Sequence, residues 1–176
     1  MRLFIAVPVP QDIRTKVAAL GKEIAQEGIM PVKPDNMHMT LKFIGEVDEQ
    51  KLADMEERLR LVKFKAFDCA VKGVGVFPNE DYIKVVWAGA ESGGALEALA
   101  KEIIEAMRGY NGHDERFSAH LTIARVKRKV DMKAFLEKHR ADEFGSFTVS
   151  SFHLIQSVLK PGGPEYSVLA TFEVEK

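Results

Sequence analysis

The stretch HMTLKFIG, residues 38–45, alternates: Met39, Leu41 and Phe43 are apolar, and His38, Thr40 and Lys42 between them are polar. A period of two belongs to a β-strand with one face in a core, and it places residues i and i+2 on the same side. His38 and Thr40 therefore point the same way. Eighty-two positions later the chain reads HLTIARV from His120, so the order His, apolar, Thr, apolar recurs with His120 and Thr122 on one face.

The surroundings of the two copies also correspond. In the first half, RLFIAVPV at residues 2–9 reads as a strand buried on both faces. Pro10 and Asp12 then open a helix with Ile13, Val17, Leu20 and Ile24 on its inner stripe and Gly28 as its stop. After the motif, Asp48 is the expected cap of a second helix carrying Leu52, Met55, Leu59 and Val62, and strands over 66–77 and 82–90 flank the turn PNED. The second half runs YIKVVWAGA as strand, ALEALAKEIIEAM as helix with Leu96, Leu99, Ile103 and Met107 inside, SAHLTIARV as motif strand, and a helix from near Asp131. FTVSSFHLIQSVLK and EYSVLATFEVE close the chain as two strands joined by the turn PGGP. The first motif lies 34 residues after Phe4 and the second 35 after Val85. This spacing predicts an internal duplication: one domain over 1–176, built of two lobes, about 1–80 and 81–176, packed around a shared cleft.

Composition narrows the partners. Among 176 residues, 46% are hydrophobic and 29% charged, enough for a substantial core, and the net charge of -1 supplies no global field for long nucleic acid. An anionic ligand needs a local cluster. Cys69 is the single cysteine, which excludes an intramolecular disulfide and a four-thiolate metal site and makes a reducing cytoplasm the default. The apolar run at the N-terminus is broken by Pro8 and Pro10, so it reads as a strand and not a signal peptide, and no run of about 18 apolar residues suggests a membrane span.

If the halves are related by a pseudo-twofold axis, two imidazoles and two hydroxyls face one point. Such a set suits a phosphate. A neutral imidazole takes a proton from water attacking phosphorus, an imidazolium opposite protonates the departing oxygen, and Thr40 and Thr122 hydrogen-bond the non-bridging oxygens. Neither motif holds an Asp or Glu, so a zinc protease, a paired-carboxylate glycosidase and a Ser-His-Asp triad find no local support. Two histidines with His113 as third ligand form a rival metal reading. Arg125, three residues past Thr122, is close enough to grip a phosphate, although a regular strand turns it away from His120, so the strand must end or bulge first. Lys127, Arg128 and Lys129 read as a solvated face, His139 and His153 as structural or exposed, and Phe43 and Phe117 as core, while Tyr110 is a candidate for base stacking. GVGVFP near Gly73 lacks the GK[ST] ending of a nucleotide loop.

RLFIAVPVP, HMTLKFIGEV, HLTIARV and SVLKPGGPEYSVL together resemble the 2H phosphoesterase superfamily, and within it the RNA 2′,3′-cyclic phosphodiesterases, also called 2′-5′ RNA ligases. The resemblance spans essentially the whole chain. It implies a bilobal α+β fold with two antiparallel sheets lining a central cleft and helices outside. It also implies an enzyme that opens a terminal 2′,3′-cyclic phosphate to a 2′-phosphomonoester without metal or cofactor. His38 would then be general acid to O3′, His120 general base for water, and Thr40, Thr122 and Arg125 phosphate ligands. RNA 3′ ends, tRNA fragments among them, are the implied partners, with no membrane and no protein partner. Joining to a 5′-hydroxyl through a 2′-5′ link uses the same histidines, and a non-catalytic RNA or nucleotide-binding module is the alternative outside enzymology.

Overall fold

The computed structural model describes residues 1–110 and 116–175. The strands are β1 (Arg2–Pro8), β2 (Ile29–Pro31), β3 (His38–Glu46), β4 (Phe67–Asn79), β5 (Tyr82–Glu91), β6 (His120–Val126), β7 (Glu143–Val149), β8 (Ser151–Lys160) and β9 (Gly163–Glu173). The helices are α1 (Gln11–Ile24), α2 (Leu52–Arg60), α3 (Ala95–Ala106) and α4 (Lys133–His139). The fold is α+β with two antiparallel sheets, a first in the order β3-β1-β8-β9 and a second in the order β2-β6-β5-β4-β7. Each sheet takes strands from both halves of the sequence: β4 joins the second sheet, and β8 and β9 return to the first.

Helices cover one face of each sheet. α1 packs on β2, β6 and β7, α4 on β4, α3 on β3, and α2 on α3 and β9. The residues meeting them are the apolar stripes of the sequence: Ile13, Val17, Leu20 and Ile24 of α1, Leu96, Leu99 and Ile103 of α3, and Met39, Leu41, Leu121 and Ile123 of the motif strands are all buried. Burying each such side chain contributes about 1.5–3 kcal/mol. With its inner face committed in this way, each motif strand has only its other face free for chemistry.

The two motif strands pair with their neighbours in the same manner. β1 pairs with β3 through Phe4–Phe43, Ala6–Thr40 and Pro8–His38, and β5 pairs with β6 through Val85–Arg125, Trp87–Thr122 and Gly89–His120. Both ladders slip at the same step, between Ile5 and Ala6 and between Val86 and Trp87. The slip is a β-bulge, one extra residue in the motif strand, and it reverses which later side chains face the core. Lys42 consequently turns inward, only 9% exposed, whereas Phe43 emerges 53% exposed. Strict alternation had placed Phe43 with Met39 and Leu41 in the core; the bulge is the reason it is not there. The same bulge turns Arg125 onto the side of His120 and Thr122.

Other local expectations are refined. Helix α1 ends at Ile24, and Gly28, with φ of +83°, forms the turn into β2, a three-residue strand too short to show a period. A 3-10 turn, Glu49–Lys51, precedes α2, and Asp48 closes it through its backbone carbonyl and makes no side-chain cap. FTVSSFHLIQSVLK is two strands in different sheets: the apolar alternation changes phase at Ser150–Ser151, between Val149 at the end of β7 and Phe152 at the start of β8, and both sides feed one core.

His139 has a structural role. It is buried in α4 against Phe135, with Nδ1 at 2.5 Å from Asp142 and Nε2 at 2.6 Å from Glu23 of α1, which also pairs with Lys138. It thus ties two helices behind the second sheet. His139→Ala is expected to lower unfolding free energy by about 2 kcal/mol. Urea denaturation checks this, and an unchanged midpoint would show that the tie contributes nothing.

Candidate active site

β3 and β6 belong to different sheets yet pack against each other, so the strands that carry the two motifs adjoin. Alternation and the twin bulges give their free faces the same layout: His38, Thr40 and Phe43 on β3, and His120, Thr122 and Arg125 on β6. The two histidines and two threonines are half-buried, and Phe43 and Arg125 are exposed. All five residues singled out in the sequence as acid, base and phosphate ligands therefore lie on the two strands that meet.

The two imidazoles are held differently. His120 Nδ1 lies 2.7 Å from the Ser118 carbonyl oxygen, and Phe77 from β4 presses against the ring at 5.1 Å between centroids. A carbonyl only accepts, so this partner assigns the proton to Nδ1 and leaves the Nε2 lone pair for the cleft. His38 is held less tightly: the Asn36 carbonyl, two residues before it, lies nearby, but the buried Nδ1 makes no well-formed hydrogen bond. Its ring sits instead beside Phe4, at 6.2 Å, and Tyr166 of β9, at 5.7 Å.

Burial is the main reason both histidines bind protons less readily than free imidazole. For His120 the Ser118 carbonyl opposes that effect and the Arg125 charge adds to it. For His38 the Asn36 carbonyl opposes it, and the charges of His153 and Arg14 add to it. Loss of proton affinity in both groups sets where they titrate, not which one is the acid.

Residues outside the motifs complete the walls. His153 on β8 faces the cleft beside Ala6, which separates it from Thr40, and its Nδ1 is also buried and unpaired. On the second sheet the corresponding positions are reversed in size. Trp87 occupies the place of Ala6 and its indole lies over Gly75, where an added Cβ would be 2.2 Å from Cζ2. Of these, His153 was readable from the alternation in FHLIQS, which sets Phe152 and Leu154 inward. Tyr166 was not, because only the pairing of β9 with β8 brings it near a strand 128 residues away. Ser157 is its partner across that ladder. Tyr110 does not belong here: its hydroxyl donates to Asp54 on α2, with Arg58 over its ring. Phe117 is half-buried against the core. Lys127, Arg128 and Lys129 are exposed. His113 lies outside the described residues, and among the described residues no three His, Cys, Asp or Glu side chains are grouped to hold a metal ion.

Paired His-x-Thr strands at the junction of two sheets define the two-histidine phosphoesterase class. Comparison with known proteins agrees. The family described as LigT like Phosphoesterase matches residues 7–87. A curated Archaeoglobus fulgidus protein named RNA 2′,3′-cyclic phosphodiesterase is 44% identical, covering 98% of this chain and all of its own length. A Methanocaldococcus jannaschii protein of the same name is 37% identical over 96% of this chain and 98% of its own. Among solved structures, one from Thermus thermophilus superposes with a TM-score of 0.82 at 34% identity, covering 99% of this chain and 98% of that one. Escherichia coli LigT complexed with 3′-AMP gives a TM-score of 0.83 at 25% identity over the same shares. The chain belongs to the LigT-like family of 2H phosphoesterases.

The electrostatics make a direct prediction. In the ligand-free protein the ring carbon resonances of His38 and His120, followed by NMR, should both titrate below the ordinary imidazole value of about 6.5. Arg125→Ala should raise the His120 value, since it removes a cation that disfavours the imidazolium, and leave His38 unchanged. A His120 titration at or above the ordinary value would contradict the described burial.

Proposed function

We propose that this protein is an RNA 2′,3′-cyclic phosphodiesterase that opens a terminal cyclic phosphate to a 2′-phosphomonoester. The observation that supports the reading is that the strands carrying the two His-x-Thr motifs pack against each other although they belong to different sheets, and the names of the curated relatives support the substrate class. Water is aligned opposite O3′, as in-line displacement at phosphorus requires. His120, its Nδ1 proton held by Ser118, accepts a proton from water at Nε2 as the new P–O bond forms. The P–O3′ bond breaks, and His38 delivers its proton to O3′. Each cycle leaves His120 protonated and His38 neutral, and exchange with solvent restores both.

Charge builds on the non-bridging oxygens in this process. Thr40 and Thr122 donate to them from opposite sheets, and the planar Arg125 fork takes two at once. Phe43, in the position that Arg125 holds on the other sheet, offers an exposed face for the terminal base. The pseudosymmetric site is in this way polarised, with phosphate at Arg125 and base at Phe43. RNA ends with cyclic phosphates, tRNA fragments among them, are the proposed substrates, in the cytoplasm. A net charge of -1 suits contact with a few terminal nucleotides.

A short RNA ending in a 2′,3′-cyclic phosphate, incubated in excess chelator, tests the proposal. The product should be the 2′-phosphate, and His38→Ala and His120→Ala should each lower the rate at least about a hundredfold. Phe43→Ala should raise KM about tenfold with a smaller effect on kcat. Since one imidazole must be neutral and the other protonated, kcat/KM should be bell-shaped in pH, and two depressed values put its centre below about 6.5. Arrest by chelator would revive a metal site. Capture of an added 5′-hydroxyl end in preference to water would make the enzyme a 2′-5′ ligase, and binding without turnover would leave a recognition module.

A further inference from the structure

The twin histidines differ in what orients them, and the difference marks residues beyond the motifs. His120 is steered by a short hydrogen bond from its own strand entry, Nδ1 to Ser118. For His38 the Asn36 carbonyl, two residues before it, lies nearby, but Nδ1 makes no hydrogen bond of comparable geometry to it. A ring held less firmly about its side-chain torsions would present Nε2 to the leaving oxygen only part of the time, so further contacts are needed to fix it.

The β8–β9 hairpin supplies that hold. Its turn is fastened to the segment just before His38: Asn36 Nδ2 donates to the Pro164 carbonyl at 3.0 Å, and Lys33 Nζ to the Gly162 carbonyl at 3.3 Å. Two residues beyond Pro164, the Tyr166 ring stands edge-on to Phe4, with centroids 4.9 Å apart, and to His38, at 5.7 Å and 62°. Phe4 closes the other side at 6.2 Å and 71°. Edge-to-face contacts of this kind restrict ring orientation as well as bury surface. Asn36 also contributes the carbonyl that lies by His38 and favours its protonated form. One side chain thus both fastens the hairpin and belongs to the residue whose backbone faces the imidazole.

We propose that Tyr166 is a positioning residue for His38, delivered by the hairpin and locked in place by Asn36, and that it acts on proton donation to O3′ through His38. The inference rests on the acid role proposed for His38. Tyr166 bonds no reacting atom in this account. Its aromatic edge does the work, and its hydroxyl is dispensable.

The test uses the full chain and an RNA 2′,3′-cyclic phosphate. Tyr166→Leu should lower kcat about ten- to a hundredfold with KM within about threefold, the scale expected for a misplaced catalytic group. Tyr166→Phe, which keeps the ring, should recover activity to within about threefold of wild type. Asn36→Ala, which removes one fastening of the hairpin, should reduce kcat in the same sense by a smaller factor. In a His38→Ala background, Tyr166→Leu should cost nothing further, because the two act as one unit. NMR of the ring protons supplies a readout that general destabilisation does not move: Tyr166→Leu should shift the His38 resonances and leave those of His120 in place. An additive loss in the double variant would overturn the proposal, as would Tyr166→Phe losing as much as Tyr166→Leu, or wild-type kcat in both Tyr166→Leu and Asn36→Ala. If wild type itself fails to hydrolyse the RNA, or His38→Ala retains full activity, the proposed function falls first and the two failures remain distinct.

Discussion

Each motif strand is pinned by helices on its inner face, and each carries, just past its threonine, an extra residue that its partner strand does not match. Together these constraints decide what the cleft contains. Met39 and Leu41, like Leu121 and Ile123, are fully committed to the core, which obliges His38, Thr40, His120 and Thr122 onto the opposite faces of their strands. The extra residue then returns Phe43 and Arg125 to those same faces. A ladder without the bulge would turn the Arg125 guanidinium inward on one strand and exchange Phe43 for Lys42 on the free face of the other. Packing and catalysis therefore depend on a single irregularity repeated twice.

A symmetric frame built this way does not make a symmetric site. Corresponding positions hold Phe43 and Arg125, Ala6 and Trp87, His153 and Gly75. The bulky ring is placed on the central strand of one sheet and on its neighbour in the other, so each threonine has a ring nearby but not from the same position. The histidines diverge as well: a backbone carbonyl orients one, and aromatic edges from a distant hairpin orient the other. Chemistry that needs one base and one acid benefits from this divergence, since identical surroundings would leave the two roles to chance.

Much of this was legible in the chain. Period-two runs and helical stripes locate most elements, and the shared face of His38 with Thr40, and of His120 with Thr122, follows from alternation alone. The slot each motif occupies within its half was read as a sign of duplication, and Phe4 with Phe43 and Val85 with Arg125 pair at matching positions of the two ladders. Features that depend on non-local pairing were not legible. No pattern within β4 says that it joins the second sheet, and none in β9 says that Tyr166 will reach His38. Phe43 was misread for a different reason. The bulge that Arg125 required in the second copy had to exist in the first as well, and carrying it over would have turned Phe43 outward.

The central claim is that imidazoles from two sheets serve one phosphorus. Its most direct test is a crystal structure of the protein with a nucleoside 2′-phosphate bound. The account predicts His38 Nε2 within hydrogen-bond distance of O3′, His120 Nε2 within the same reach of a phosphate oxygen, and Arg125 in bidentate contact. A ligand held by one histidine alone, or seated away from the junction of β3 and β6, would contradict it.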